Sequence, residues 1–212
     1  PVVDLSELVT IGAVSSGRPY SLSPLAADVP VYIDRPYTVT ELSPGLEGGL
    51  LLQTANNDKW IRTDAHLQLW VHGEAVLLAC YDSRARRLPT WLETGGWTRT
   101  MEGIRSSDYR AGTMQVFMKE VSGTKDAPTE LWLGGNHDGG YTWARSNYYL
   151  VVQPKGAALA MPPVEITAVS TGKAYKVAGL RKGGRVYVDR HYHAVDYSEA
   201  FDGAVIVQTA NN

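Results

Sequence analysis

Three groups of residues are of the right type and spacing to do chemistry. His191 and His193 form an H-x-H on a stretch that reads as a strand, which sets both imidazoles on one face, about 7 Å apart. Such a pair on a β-scaffold could begin a zinc site, but two histidines alone read as a solvated strand pair, and no metal site is assigned. The second group is the loop Gly134-Gly135-Asn136-His137-Asp138-Gly139-Gly140. It lacks the Lys and following helix of a phosphate loop and reads as a hairpin loop, whose Asn136 and Asp138 could offer oxygens to calcium or to a ligand. The third group is aromatic. Trp91 and Trp97 flank a turn, and Tyr141 and Trp143 follow the glycine-rich loop. Flat rings on loops stack on the apolar faces of sugar rings. Asp82, Arg84 and Arg86, where a strand leaves the core, could hydrogen-bond the hydroxyls. For each tryptophan the alternative is a place in the core.

Covalent chemistry finds little to work with. The chain has no G-x-S-x-G elbow and no H-E-x-x-H, and no catalytic residue is assigned. Cys80 lies inside an apolar run, where a thiol is packing rather than a nucleophile. As the single cysteine it excludes an intramolecular disulfide, a CxxC zinc site and an iron–sulfur cluster.

The elements that carry these residues read as strands. Met114, Val116 and Met118 alternate with Gln115, Phe117 and Lys119, the pattern of a half-buried strand. Residues 75–81 and 148–152 are short apolar runs suited to central strands, and Glu130-Leu131-Trp132-Leu133 runs into the Gly-Gly-Asn turn. Only Pro89-Thr90-Trp91-Leu92 suggests a helical turn. The expected fold class is all-β, an antiparallel β-sandwich or jelly roll.

Composition narrows the function further. Lys and Arg number 20 against 22 Asp and Glu in 212 residues, which lacks the basic excess of a nucleic-acid clamp or a polybasic membrane binder. No apolar run reaches the length of a membrane span. Aromatics are 12 Tyr and 6 Trp against 2 Phe, a bias toward rings with a polar handle that suits wet ligand platforms.

An internal repeat organises the chain. Residues 9–57 align without a gap to 164–212, and twenty of the forty-nine positions are identical. The expected division is a complete module at 1–154, a linker at 155–163 and, at 164–212, a partial copy of the module's first third. Asp34-Arg35 and Asp189-Arg190 recur in both copies beside tyrosines, and Gln-Thr-Ala-Asn-Asn recurs unchanged, which marks them as scaffold. His191 and His193 align with Pro36 and Thr38, so the unit folds without them. The chain starts at Pro1 with no leader pattern, as a mature form or an excised piece would.

The series 32–37, 53–59, 79–84, 88–92 and 133–136 resembles the β-sandwich accessory modules found beside catalytic domains in secreted bacterial polysaccharide-degrading enzymes and surface proteins. The resemblance covers about 9–153, and the opening third again at 164–212. It implies an extracellular, non-catalytic module that binds a polysaccharide or cell-surface glycan. Cys80 departs from it, standing where a small apolar residue is expected. The alternative is structural: a subunit of an extracellular filament, assembled head-to-tail with copies of itself through the partial repeat.

Overall fold

The computed structural model describes residues 4–156, 176–179, 186–187 and 205–209. The chain forms two compact units, Pro1–Leu159 and Ala160–Asn212. The linker from 157 onward and the residues Asp189, Arg190, His191 and His193 lie outside the described residues.

The first unit is built of antiparallel sheets, as its short alternating runs lead one to expect. One sheet has three strands, β1 (Val9–Val14), β6 (Leu67–Val71) and β10 (Thr129–Leu133), with β6 in the middle. The other has eight. Its members are β2 (Ser21–Pro24), β3 (Pro30–Tyr32), β4 (Arg35–Leu42), β5 (Leu50–Gln53), β7 (Glu74–Tyr81), β8 (Thr98–Ser106), β9 (Thr113–Ser122) and β11 (Tyr149–Pro154). They lie in the order β2-β5-β11-β7-β9-β8-β4-β3, every ladder antiparallel. A parallel bridge from Tyr32 to Thr54 brings the β3 end back to the end of β5, so the sheet rolls over on itself.

That roll gives the large sheet two buried faces. Side chains alternate across a strand, so each strand sends neighbouring residues to opposite layers. Leu50, Leu52, Leu77, Tyr81, Phe117, Leu150 and Val152 pack against the small sheet through Val9, Leu67, Leu69 and Leu133. The intervening residues Leu51, Leu78, Cys80, Met114, Val116 and Val151 fill the inside of the roll, with Val31, Val39 and Ile104. Here the sequence expectation needs amendment: β9 is not half-buried with one apolar face. Met114 and Val116 face the roll while Phe117 and Val121 face the small sheet, because the strand is covered from both sides. Cys80 is fully enclosed and burial pushes its thiol pKa up, so the thiol is core packing.

One helical turn, α1 (Thr90–Glu93), stands where the sequence suggests it. The recurring scaffold motif has a visible job. The carboxylate of Asp34 accepts the backbone N–H groups of Asn56 and Asn57 at 2.7 and 2.9 Å, capping the 3₁₀ turn Asn56–Trp60, and Arg35 donates to Asn57 Oδ1. Asp-Arg and Thr-Ala-Asn-Asn are thus two halves of one clasp.

A second buried network pins the β1–β2 turn. His66 is fully enclosed, with Nδ1 2.7 Å from Ser15 Oγ and Nε2 2.8 Å from the Tyr20 hydroxyl; that hydroxyl donates to Asp58, which also receives Ser16 and Arg18. Burial pulls the pKa of His66 down against the opposing pull of Asp58, and burial and the charge of Arg62 do the same to His137. Unfolded imidazoles take a proton near pH 6.5. The stability gained by keeping these rings neutral is therefore full above about pH 6.5 and is lost as pH falls toward the folded-state values. Urea unfolding should show a lower midpoint at pH 5 than at pH 7.5, with a flatter dependence in His66→Gln. A midpoint equal at both pH values would contradict this.

In the second unit, β12 (Lys176–Gly179) pairs antiparallel with β13 (Val205–Gln208). Lys176 faces Gln208 and Gly179 faces Val205, the register of Ser21 with Gln53 and Pro24 with Leu50 shifted by 155. A parallel bridge joins Tyr187 to Thr209, as Tyr32 joins Thr54.

Candidate functional site

Antiparallel pairing collects five connections at one end of the rolled sheet: the β3–β4 turn, the 3₁₀ turn after β5, the loop after β7, the β8–β9 turn and the loop that leads into β11. Between these connections lies a cleft of about 750 Å³, lined by Arg35, Tyr37, Lys59, Arg84, Tyr109 and Trp143 among others.

Its floor is organised by Asp82, which is wholly buried at the end of β7. Its carboxylate accepts Arg84 Nε at 2.8 Å and Nη2 at 2.7 Å, and the backbone N–H groups of Arg84, Arg145 and Ser146. Burial pushes the Asp82 pKa up, but the guanidinium and the amides outweigh it and hold the carboxyl below its usual range. Arg84 reaches on to the carbonyl of Arg110 at 2.6 Å and to Ser146 Oγ at 2.8 Å. One ion pair, its carboxylate buried and its guanidinium open to the cleft, thus ties together three of the loops that make the cleft.

The rim is aromatic. Trp143 sits with φ +67°, a left-handed conformation that costs a bulky residue energy and is imposed by its surroundings. Next to it, the Arg86 N–H donates to the carbonyl of Thr142, and the Arg86 guanidinium lies 5.5 Å from the Trp143 ring centre. Tyr141 stands 5.2 Å from Trp143, and Trp60 stacks on Tyr141 at 6.4 Å with an 11° interplanar angle. Trp60, Tyr141 and Trp143 are all exposed, forming a continuous row that leads into the cleft.

The structure sorts the sequence candidates. Tyr141 and Trp143 lie on the rim, and Arg84 and Arg86 line the cleft. Trp91 does not: it is 8% exposed, packs on Tyr148, and donates its indole N–H to the Gly135 carbonyl at 3.1 Å. An apolar ring with its one donor satisfied inside is a core residue. Trp97 is half-buried and meets Trp91 edge to face at 5.5 Å, away from the cleft lining. Asn136 is fully buried and donates to the Ser146 carbonyl, so it cannot reach a ligand. Asp138 accepts the Trp91 backbone N–H at 3.0 Å and caps α1. Asp138 is thus engaged within the loop, while Asn136 is enclosed with its Nδ2 on the Ser146 carbonyl and its Oδ1 without a hydrogen-bond partner among the described residues. Among the described residues no group of three or more His, Cys, Asp or Glu is placed to hold a metal ion. Asp82 organises the site from beneath and is not open to a ligand.

Sequence reasoning missed Trp60, Tyr109, Lys59, Arg110 and Arg145. Trp60 carries a faint signal, since it stands three residues after the recurring Gln-Thr-Ala-Asn-Asn. Arg35 serves both as clasp and as lining.

The chain matches no protein-family model, and no curated protein matches it. Its fold is similar to part of a solved β-glucuronidase from glycoside hydrolase family 2, with a TM-score of 0.57 and 18% identity over 73% of this chain. The chain spans about 15% of that enzyme's length. The class defined by fold is therefore an all-β, sandwich-like one shared with part of a carbohydrate-active enzyme. Among the described residues no helix is long and apolar enough to cross a membrane.

Proposed function

We propose that the first unit is a non-catalytic carbohydrate-binding module. The observation that carries this reading is the exposed row Trp60–Tyr141–Trp143 running into a cleft walled by hydrogen-bonding side chains. Sugar rings have apolar faces edged by hydroxyls, and a row of flat rings beside polar groups is complementary to both. The resemblance to accessory modules and the fold shared with part of a family 2 β-glucuronidase support it. On this reading the module works outside the cell, beside a polysaccharide, as part of a secreted or surface protein.

Affinity electrophoresis against a panel of soluble polysaccharides tests it. At least one is expected to retard the protein, with roughly five- to tenfold weaker binding in Trp143→Ala and Trp60→Ala, the worth of one stacked ring. Absence of retardation by every polymer would overturn the reading.

Assembly through the partial repeat, one chain's copy completing the sheet of the next head-to-tail, is the second proposal. Light scattering over a range of concentrations tests it: a mass that grows with concentration is expected, and a constant monomer mass would overturn it.

A further inference from the structure

We propose that the ligand of this cleft is an acidic saccharide, one whose sugar rings carry carboxylate or sulfate groups. This rests on the carbohydrate-binding reading and adds the substrate class to it.

The lining carries six cations, Arg35, Lys59, Arg84, Arg86, Arg110 and Arg145, and one carboxylate, Asp108. Two of the six have an acidic neighbour. Arg84 is held by Asp82, and Arg35 lies 3.6 Å from Asp34. Lys59, Arg86, Arg110 and Arg145 have no carboxylate within ion-pair distance among the described residues. Asp108 accepts the backbone N–H of Arg110. The chain as a whole carries a formal charge of −2, so this concentration of positive charge is local. In a concave, partly apolar site such charges focus their field on whatever enters.

Hydrogen-bonding chemistry points the same way. A neutral sugar hydroxyl both donates and accepts, so a site for neutral sugars mixes carboxylates and amides with its donors. Arg and Lys can only donate. A wall so rich in donors is matched by a ligand rich in acceptors. Arg86 is arranged for this, since a guanidinium lying over an indole keeps its N–H edge free for a planar carboxylate. Trp143 and Tyr109 supply ring faces alongside, which a bare anion would not use.

The test uses the full chain and four polymers in affinity electrophoresis: polygalacturonate, the same polymer after carboxyl reduction, dextran sulfate, and duplex DNA. Binding to polygalacturonate or dextran sulfate is expected, about tenfold or more weaker at 0.5 M salt than at 20 mM. Which of the two binds identifies the acid group. The reduced polymer is expected to bind at least tenfold more weakly. The double variant Arg86→Ala/Arg145→Ala is expected to lose tenfold or more for the acidic polymer. Both side chains are exposed and make no hydrogen bond among the described residues, so an unchanged melting temperature is expected to show that folding is intact. Equal binding of native and reduced polymer, with the double variant unaffected, would overturn this inference and leave the carbohydrate reading standing. Failure of every saccharide would overturn both. Retention by DNA as strong as by the acidic polysaccharide, insensitive to Trp143→Ala, would reduce the effect to polyanion adsorption and also overturn it.

Discussion

Replacing Asp82 with alanine is expected to lower the unfolding free energy by about 3–5 kcal/mol, the largest effect of any single charged residue in the first unit. The side chain is fully buried and serves five donors: two from Arg84 and three backbone N–H groups, including those of Arg145 and Ser146. Without it, three amides and a guanidinium lose their acceptor; the Ser146 amide is buried, while the Arg84 guanidinium stays open to the cleft. Arg84→Ala removes the charge that would be stranded, so the double variant should lose much less than the sum of the two single ones. Because the carboxyl is held below the usual aspartate range, its contribution is present at neutral pH and fades only as pH falls through that lowered value. Denaturant unfolding of the three variants at pH 7 and pH 3 checks both statements. A loss below about 1 kcal/mol at pH 7 would show that the network is not organised around Asp82.

Trp91→Ala is the second large effect, expected at about 3–5 kcal/mol as for a buried aromatic removed from a core. The ring contacts Trp97 and Tyr148, and its indole N–H holds the Gly135 carbonyl. Its loss opens a cavity and frees the glycine-rich loop at once. Urea unfolding and affinity electrophoresis on the same sample distinguish a core role from a platform role. The expected result is a much lower midpoint with saccharide binding retained under folding conditions, whereas Trp143→Ala should give the reverse. A Trp91→Ala protein of normal stability that no longer binds would restore the platform reading.

The two tryptophans show how much of the fold and site was legible in the sequence. Strand positions follow from short apolar runs and turn signals, so residues 75–81, 130–133 and 148–152 could be assigned as strands, and the turn at 89–92 announces itself by Pro89. Exposure does not follow in the same way. Trp91 and Trp143 both sit beside glycine-rich turns in sequence, and only the packing of Tyr148 against one and the left-handed backbone of the other separates them. The tyrosine bias was likewise legible as a fact but not as a cause. Much of it serves the interior: Tyr32, Tyr81 and Tyr148 are buried and donate to the carbonyls of Asn147, Asn136 and Gly134. Phenylalanine could fill the same space but would leave those loop carbonyls unsatisfied. The cleft was the least legible feature. Arg35, Arg84, Arg110 and Arg145 are spread over more than a hundred positions, and each alone looks like an ordinary solvated charge. The antiparallel register that gathers them is a long-range property.

The roll of the large sheet bears on how this protein behaves when crowded. A sheet with free edges is a template for other chains, and aggregation starts from such edges. Here the Tyr32–Thr54 bridge turns one edge of the eight-stranded sheet back on itself, and the other is β2, four residues long and ending in Pro24. The small sheet is interrupted too, since β1 carries a register shift between Ile11 and Val14. Apart from β10, whose ladder to β6 is regular, the sheet edges of this unit are short, kinked or closed and offer little for a second chain to extend.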